Sequence, residues 1–432
     1  MTTGQGCQPY YMFDYHLYLE NKLQELKSAG SYRYFLEVNK SAQHFPHFNY
    51  VNKDGIQRSA VNWCSNDYLC MSTKEEVIAK LGFVTHRSGT GSSGTRNISG
   101  TTIYHRELES TLAQWHKKES ALLFNGAYAA NVSTLQTLAR HIPGLVFISD
   151  ERNHASLIEG MRGNGNPKFI FKHNDTAHLE EILSGLHPDQ PKLVVFESVY
   201  SIAGTIAPVK KIAELSKKYN SLTYADEVHA VGLYGENGAG IFEQENLQNN
   251  IDIINGTLSK AIGVFGGYIA ASATVIDFVR SFGSGFIFTT SLPPAVCSAA
   301  NKSIQLIRQN AEWRREFHDN VQLLRQTLKQ CGVKFTPNGS HITSIPVGDA
   351  NRCREIANEL LQKQSVYLQP INFPTVPIGE ECLRIIVTAK HQPRHINHLA
   401  FSLNKIINGS NQAHRTEFPP IAVAAGNSEA TD

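Results

Sequence analysis

From about residue 105 the apolar positions fall into short continuous runs separated by stretches of helical spacing. A polar helix is predicted over 107–118, strands over 145–149 (LVFIS), 168–173 (KFIFKH) and 193–198 (LVVFES), and a helix over 176–186. Strands that alternate with helices predict an α/β fold with a largely parallel sheet. Pro208 suits the first turn of a helix, Ile212 and Leu215 repeat at helical spacing, and Asn220 suits a C-cap before a strand over 222–226 (LTYAD). That is one βαβ unit with short connections. Two more strands are expected, over 252–256 and 267–272. A long helix beyond Pro293–Pro294 then runs through Ile304 and Ile307.

Residues 310–408 read differently. The pattern predicts helix (313–331), strand (342–347), helix (352–364), strand (366–371), strand (383–388) and a last helix (395–407), a compact α+β unit. The expected organisation is an N-terminal arm (1–60) with a helix over 14–27, a large domain (61–305) built on the mainly parallel sheet, a smaller C-terminal domain (306–408), and a disordered tail (409–432) without amphipathic period.

Composition narrows the function classes. The chain has 432 residues, 41% of them hydrophobic and 18% charged, with 40 Lys and Arg against 38 Asp and Glu. A net charge of +2 gives no chain-wide reason to bind nucleic acid or an acidic membrane, so any anion site must be local. One uncharged apolar stretch, between Lys260 and Asp277, has 16 residues and three glycines. A membrane helix needs about 20 apolar residues, so no membrane association is expected. Seven scattered cysteines, among them Cys7, without CxxC spacing, read as reduced thiols rather than a disulfide framework or zinc site. No export signal is visible before Lys22, and a cytoplasmic protein without a metal is expected.

Two strings carry candidate chemistry. Gly89, Gly91 and Gly94 have GxGxxG spacing, but FVTHR before them makes a poor strand and no ribose-binding acid ends a second one. A loop that contacts substrate fits better than a dinucleotide site. The stronger signal is LTYADEVHAVG (222–232), followed by NGTLSKAIG (255–263), with Lys260 34 residues after Asp226. A carboxylate at the C-terminal end of a buried parallel strand lies where α/β sheets bind ligands. Asp226 could hold the proton of a pyridinium nitrogen, and His229 could meet the phenolic oxygen of the same ring. Lys260 sits in an uncharged neighbourhood that lowers an amine pKa and suits a Schiff base. Each residue alone is more simply a solvated charge or a satisfied histidine; the combination is not.

With these motifs the chain resembles the α-oxoamine synthases, fold-type I enzymes dependent on pyridoxal 5′-phosphate. NWCSNDYLCMS (62–72), GTRNISGTT (94–102), NHASLIEG (153–160), FKHND (171–175), GFIFTTSLPP (285–294) and QPINFPTVP (369–377) carry the resemblance, which extends from about Tyr15 to Ile407. It implies a PLP-dependent acyltransferase that joins glycine to succinyl-CoA as a homodimer with shared sites. In that pattern Lys260 binds the cofactor and then takes a glycine proton, Asp226 holds the ring nitrogen, His229 the phenolic oxygen, and His154 stacks on the ring. Gly126, Ala127, Tyr128 and Thr257 hold the phosphate, helped by Thr289 and Thr290 of the other subunit, and Ser201 lies beside the ring. Arg384 takes the amino-acid carboxylate and Arg33 the acyl carboxylate, with Thr95 and Thr375 nearby. Asn66, Asn97, Ile98, Ser149 and Lys168 line the coenzyme A and acyl path.

Departures from the pattern are Cys70 and Ala127 at positions where Gly is common, Ala203 in place of an acid, and IIVTAKH (385–391) in place of a Pro-rich stretch. None removes a catalytic group. Relatives that use acetyl- or pimeloyl-CoA share the lysine and differ in the acyl pocket. A nucleotide-dependent oxidoreductase and a cofactor-free binding protein are the remaining rivals.

Overall fold

The structure, a computed structural model, describes residues 13–163 and 165–409. Cys7 and the expected tail, Gly409 apart, lie outside the described residues.

Seven strands form the central sheet: β1 (Ser120–Phe124), β2 (Val146–Asp150), β3 (Lys168–Phe171), β4 (Lys192–Glu197), β5 (Leu222–Asp226), β6 (Ile253–Thr257) and β7 (Gly267–Ala271). Their spatial order is β1-β7-β6-β5-β4-β2-β3. β7 runs antiparallel to both β1 and β6, and every other pair is parallel. Every residue of β2, β4, β6 and β7 is buried. A sheet covered on both faces needs continuous rather than alternating apolar strands, and the sequence has them. One apolar cluster, with Leu122, Phe147, Val195 and Ile269, covers one face; a larger one, with Ile148, Val194, Ala225 and Ala270, covers the other. The mainly parallel α/β sheet agrees with the fold expected from the alternating pattern.

The helix after Pro293 spans Pro294–Gln309 and lies against the helices Glu75–Ser88 and Ile103–Trp115. The first of these occupies the residues before the glycine-rich loop, so the loop follows a helix and lacks the strand that a dinucleotide fold needs. Further on, Thr343–Pro346, Pro370–Ile371 and Cys382–Ile385 form a three-stranded antiparallel sheet. The helices Ala311–Gln330, Ala350–Gln364 and Pro393–Asn408 accompany it. The single strand expected over 366–371 is divided. Val366–Tyr367 pairs in parallel with Gln57–Asn62, whereas Pro370–Ile371 joins the antiparallel sheet. Asn39–Lys40 and His47–Val51 complete the four-stranded sheet begun by Gln57–Asn62. Cys70 is buried at φ +58°. A left-handed backbone costs a residue with a Cβ roughly 1–2 kcal/mol, a cost that glycine does not carry. Among the described residues no helix is long and apolar enough to cross a membrane.

Candidate active site

β4, β5 and β6 end side by side, and the parallel sheet brings their last residues, Glu197, Asp226 and Thr257, to one edge. Asp226 is 5% exposed. Its Oδ2 accepts from Asn131 Nδ2 at 2.8 Å and its Oδ1 accepts the main-chain N–H of Val228 at 2.9 Å. Neutral donors therefore fix the carboxylate without consuming its charge, which leaves it suited to a cationic N–H.

Lys260 follows β6 in a turn and remains partly accessible. Burial of the amine pushes its pKa down to about 8, against the pull of Asp226; Arg384 pushes in the same direction as burial, and Glu197 opposes it. These influences place the amine, the two acids and the guanidinium in one neighbourhood. His229 is buried, and burial together with Lys260 and Arg384 holds its imidazole well below the usual range. Its Nδ1 lies 2.7 Å from the hydroxyl of Tyr68. His154 is exposed at the rim; desolvation lowers its pKa, Asp226 raises it, and Lys260 lowers it.

Gly126 is the N-cap of the helix Ala127–His141 and supplies no side-chain cap. Helix N-termini carry unsatisfied N–H groups and partial positive charge, the elements of an anion cradle. A Cβ on Gly126 would meet nothing within 4 Å, whereas one on Gly267 would stand 2.2 Å from Ala127 N. β7 therefore passes directly beneath the turn, and because Gly267 pairs with Thr257, the cradle lies beside Thr257. Tyr128 is exposed in the first turn, and Ser201 is half-buried just after β4.

Arg384 is half-buried on the three-stranded antiparallel sheet. Its Nη2 donates to Asn66 Oδ1 at 2.9 Å, while its buried Nε has no partner. A guanidinium with an unused buried donor is suited to a carboxylate. Arg33, exposed, donates from Nη2 to Thr375 Oγ1 at 3.2 Å. Thr95 lies elsewhere: it donates to Asn97 Oδ1 at 2.6 Å and forms an isolated bridge with Thr290. Thr290 is exposed, Thr289 half-buried, and Ile98 79% exposed. Among the described residues no hydrogen bond or bridge joins them to Lys260 of their own chain. Ser149 is buried within β2, where its hydroxyl donates to the Asp150 carbonyl and accepts from Asn153 Nδ2. Lys168 is exposed at the start of β3.

Sequence reading missed Glu197, Tyr68 and Asn131. Glu197 carried the same signal as Asp226, an acid ending an apolar strand. The other two are placed only by contacts distant in sequence.

Taken together, the amine at Lys260, the Asp226 carboxyl held by neutral donors, the open helix N-terminus and the accessible face of His154 fit pyridoxal 5′-phosphate. The family model described as aminotransferase class I and II matches residues 58–403. The chain is 45% identical to the 5-aminolevulinate synthase of Paracoccus denitrificans, over 91% of this chain and 97% of that one. It is 46% identical to 5-aminolevulinate synthase 1 of Cereibacter sphaeroides, over 90% and 96%. Among solved structures it is similar to the serine palmitoyltransferase of S. paucimobilis with PLP–myriocin bound, at 29% identity and a TM-score of 0.82, covering 90% of this chain and 97% of that one. The chain belongs to the class I and II aminotransferase family and, within it, to the 5-aminolevulinate synthases.

Proposed function

We propose that this protein is a pyridoxal 5′-phosphate-dependent enzyme that condenses glycine with succinyl-CoA, releasing coenzyme A and carbon dioxide and giving 5-aminolevulinate, a tetrapyrrole precursor. One observation carries the reading: after the strand that pairs with the Asp226 strand, burial pushes the Lys260 amine down to about 8, against the pull of Asp226. When bound, the cofactor supplies a covalent handle for the amine and an electron sink for charge on the glycine carbon.

The chain's own groups do the rest. Asp226 keeps a ring nitrogen protonated, and the first turn at Gly126, Ala127 and Tyr128, with Thr257, receives the phosphate. His154 covers the ring face, His229 meets the phenolic oxygen, and Ser201 borders the ring. Arg384 orients the glycine carboxylate so that a Cα–H bond faces Lys260, whose neutral amine takes that proton. Such orientation is worth up to roughly 7–11 kcal/mol in intramolecular models.

Arg33 beside Thr375 supports a carboxylate-bearing acyl group, with Thr95, Asn66, Asn97, Ile98, Ser149 and Lys168 along the acyl and coenzyme A path. A homodimer is supported by apolar side chains that this chain leaves uncovered, Phe35 at 90% and Phe288 at 80% exposed, the latter next to Thr289 and Thr290. We place the two threonines in the partner's site. Free thiols at the six described cysteines support a reducing compartment, the cytoplasm.

The test is a visible, borohydride-reducible chromophore in the purified protein, followed by turnover of glycine with succinyl-, acetyl- and pimeloyl-CoA. The expected result is a chromophore absent from Lys260→Ala and a preference for succinyl-CoA that Arg33→Leu weakens by raising its KM. A chromophore retained in Lys260→Ala refutes the cofactor assignment, and equal turnover of acetyl- and succinyl-CoA refutes the acyl assignment.

A further inference from the structure

Glu197 stands opposite Asp226 in the register of β4 and β5. Residues paired in register share a face of the sheet, so both carboxyls rise on the same side. Glu197 is only 2% exposed, and its Oε1 accepts the main-chain N–H of His154 at 2.6 Å. The ring of His154 is held separately. Its Nδ1 accepts the Ser156 N–H at 3.2 Å and lies 2.8 Å from Ser156 Oγ. Ser156 Oγ in turn accepts from Asn131 Nδ2 at 2.9 Å, and the same Nδ2 group donates to Asp226. One route from the ends of β4 and β5 thus reaches the main chain of His154, and a second reaches its ring.

We propose that Glu197 is a positioning residue for His154, fixing the turn after β2 at the height from which the imidazole covers the cofactor ring. The inference rests on the reading of Lys260 and His154 given above. The charged groups that face Glu197 are Asp226 and Asp150 on the anionic side and Lys260 on the cationic side. Burial, reinforced by Asp226, raises its carboxyl well above the usual range, which favours the neutral form, and glutamine is the neutral side chain of the same length. A Gln Oε1 still accepts the His154 N–H. Alanine leaves that donor without a partner, and aspartate, one methylene shorter, does not reach it.

The experiment uses the cofactor-loaded enzyme and its Glu197→Gln, Glu197→Asp and Glu197→Ala variants, and reads the induced circular dichroism of the visible band alongside kcat. Dichroism reports the asymmetry imposed on the ring, which a carboxyl that merely stabilises the fold would not move. Glu197→Gln is expected within about twofold of the unaltered enzyme. Glu197→Asp and Glu197→Ala are expected to keep the chromophore, lose about half of the induced signal and lose about tenfold in kcat, the equivalent of one 1.36 kcal/mol step. Should Glu197→Ala fail to fold, the contrast between Gln and Asp decides. Unaltered dichroism and kcat in Glu197→Asp overturn the proposal, as does a Gln variant as impaired as the Asp one. A missing chromophore in the unaltered protein overturns instead the cofactor reading beneath it.

Discussion

The pKa of Lys260 sets how fast the cofactor-free chain captures pyridoxal 5′-phosphate, because only the neutral amine attacks an aldehyde. With the pKa at about 8 rather than 10.5, the neutral fraction at pH 7 rises from about 0.03% to about 9%, roughly 300-fold, by the usual titration relation. Stopped-flow mixing of cofactor with the cofactor-free protein, followed in the visible band from pH 6 to 11, measures this. Dividing each rate by that of a blocked lysine in the same buffer removes the cofactor's own titration. The expected ratio is nearly level from pH 6 to 7 and falls as pH passes 8, where Lys260 is already mostly neutral and the reference amine is still losing its proton. Asp226→Asn removes the charge that lifts this pKa, so the fall should begin at lower pH. The sign for stability follows from the same shift. Between about 8 and 10.5 the unfolded chain binds the proton that the folded chain has lost, so folding gains stability with rising pH across that window. A ratio that stays flat across pH 6 to 11 refutes the desolvated-amine argument.

Three further outcomes follow. Arg384→Leu should raise the KM for glycine by about 10- to 150-fold, the equivalent of the 1.5–3 kcal/mol of a hydrogen bond to a charged group, and leave the acyl-CoA KM unchanged. Arg384→Lys keeps the charge without the fork and should fall between; a glycine KM within twofold for Arg384→Leu would falsify the assignment. Co-expressed Lys260→Ala and Thr289→Ala/Thr290→Ala chains, each inactive alone, should recover about a quarter of normal activity, because half of randomly formed dimers hold one intact site of two. No recovery would mean that the threonines serve their own chain. Burial lowers the His391 pKa to about 3 beneath its stacking contact with Trp63, at 3.9 Å. The unfolded chain takes up that proton as pH falls below about 6.5, so stability declines toward pH 3. His391→Asn should flatten the dependence of urea midpoint on pH between 6 and 4; an unchanged slope would show that other groups carry it.

Much of the central sheet was legible because strands buried on both faces leave uninterrupted apolar runs, as at 145–149 and 193–198. β1 was not recognised. Ser120–Phe124 directly follows a polar helix, and its pairing with β7 joins residues far apart in sequence. The helix Ala127–His141 opens in Ala, Tyr, Ala, Ala, which read as a phosphate loop. These residues form the first turn of a helix whose N-cap is Gly126. The division of 366–371 between two sheets was beyond any periodic reading. Val366 and Leu368 are both buried, and apolar pattern reports burial without naming the partner strand. For the same reason the sheet of residues 39–62 read as an arm.

The site divides along the same line. Lys260 and Asp226 were visible because each has an intrinsic chemistry that its position in an apolar strand or turn makes conspicuous. Glu197 has that chemistry too and went unnoticed, because its work depends on which strand lies next to β4. Only in register with Asp226 does it become a second buried acid, and only through the His154 N–H does it touch the candidate ring-stacking group. Net charge was uninformative for a related reason. The proposed ligands all carry anionic groups, yet the groups assigned to them are single cations such as Arg384 and Arg33 and an uncapped helix turn, whose N–H groups add nothing to a charge count. A chain near neutrality can therefore build strongly anion-selective sites, and the evidence for them lies in unpaired donors rather than in composition.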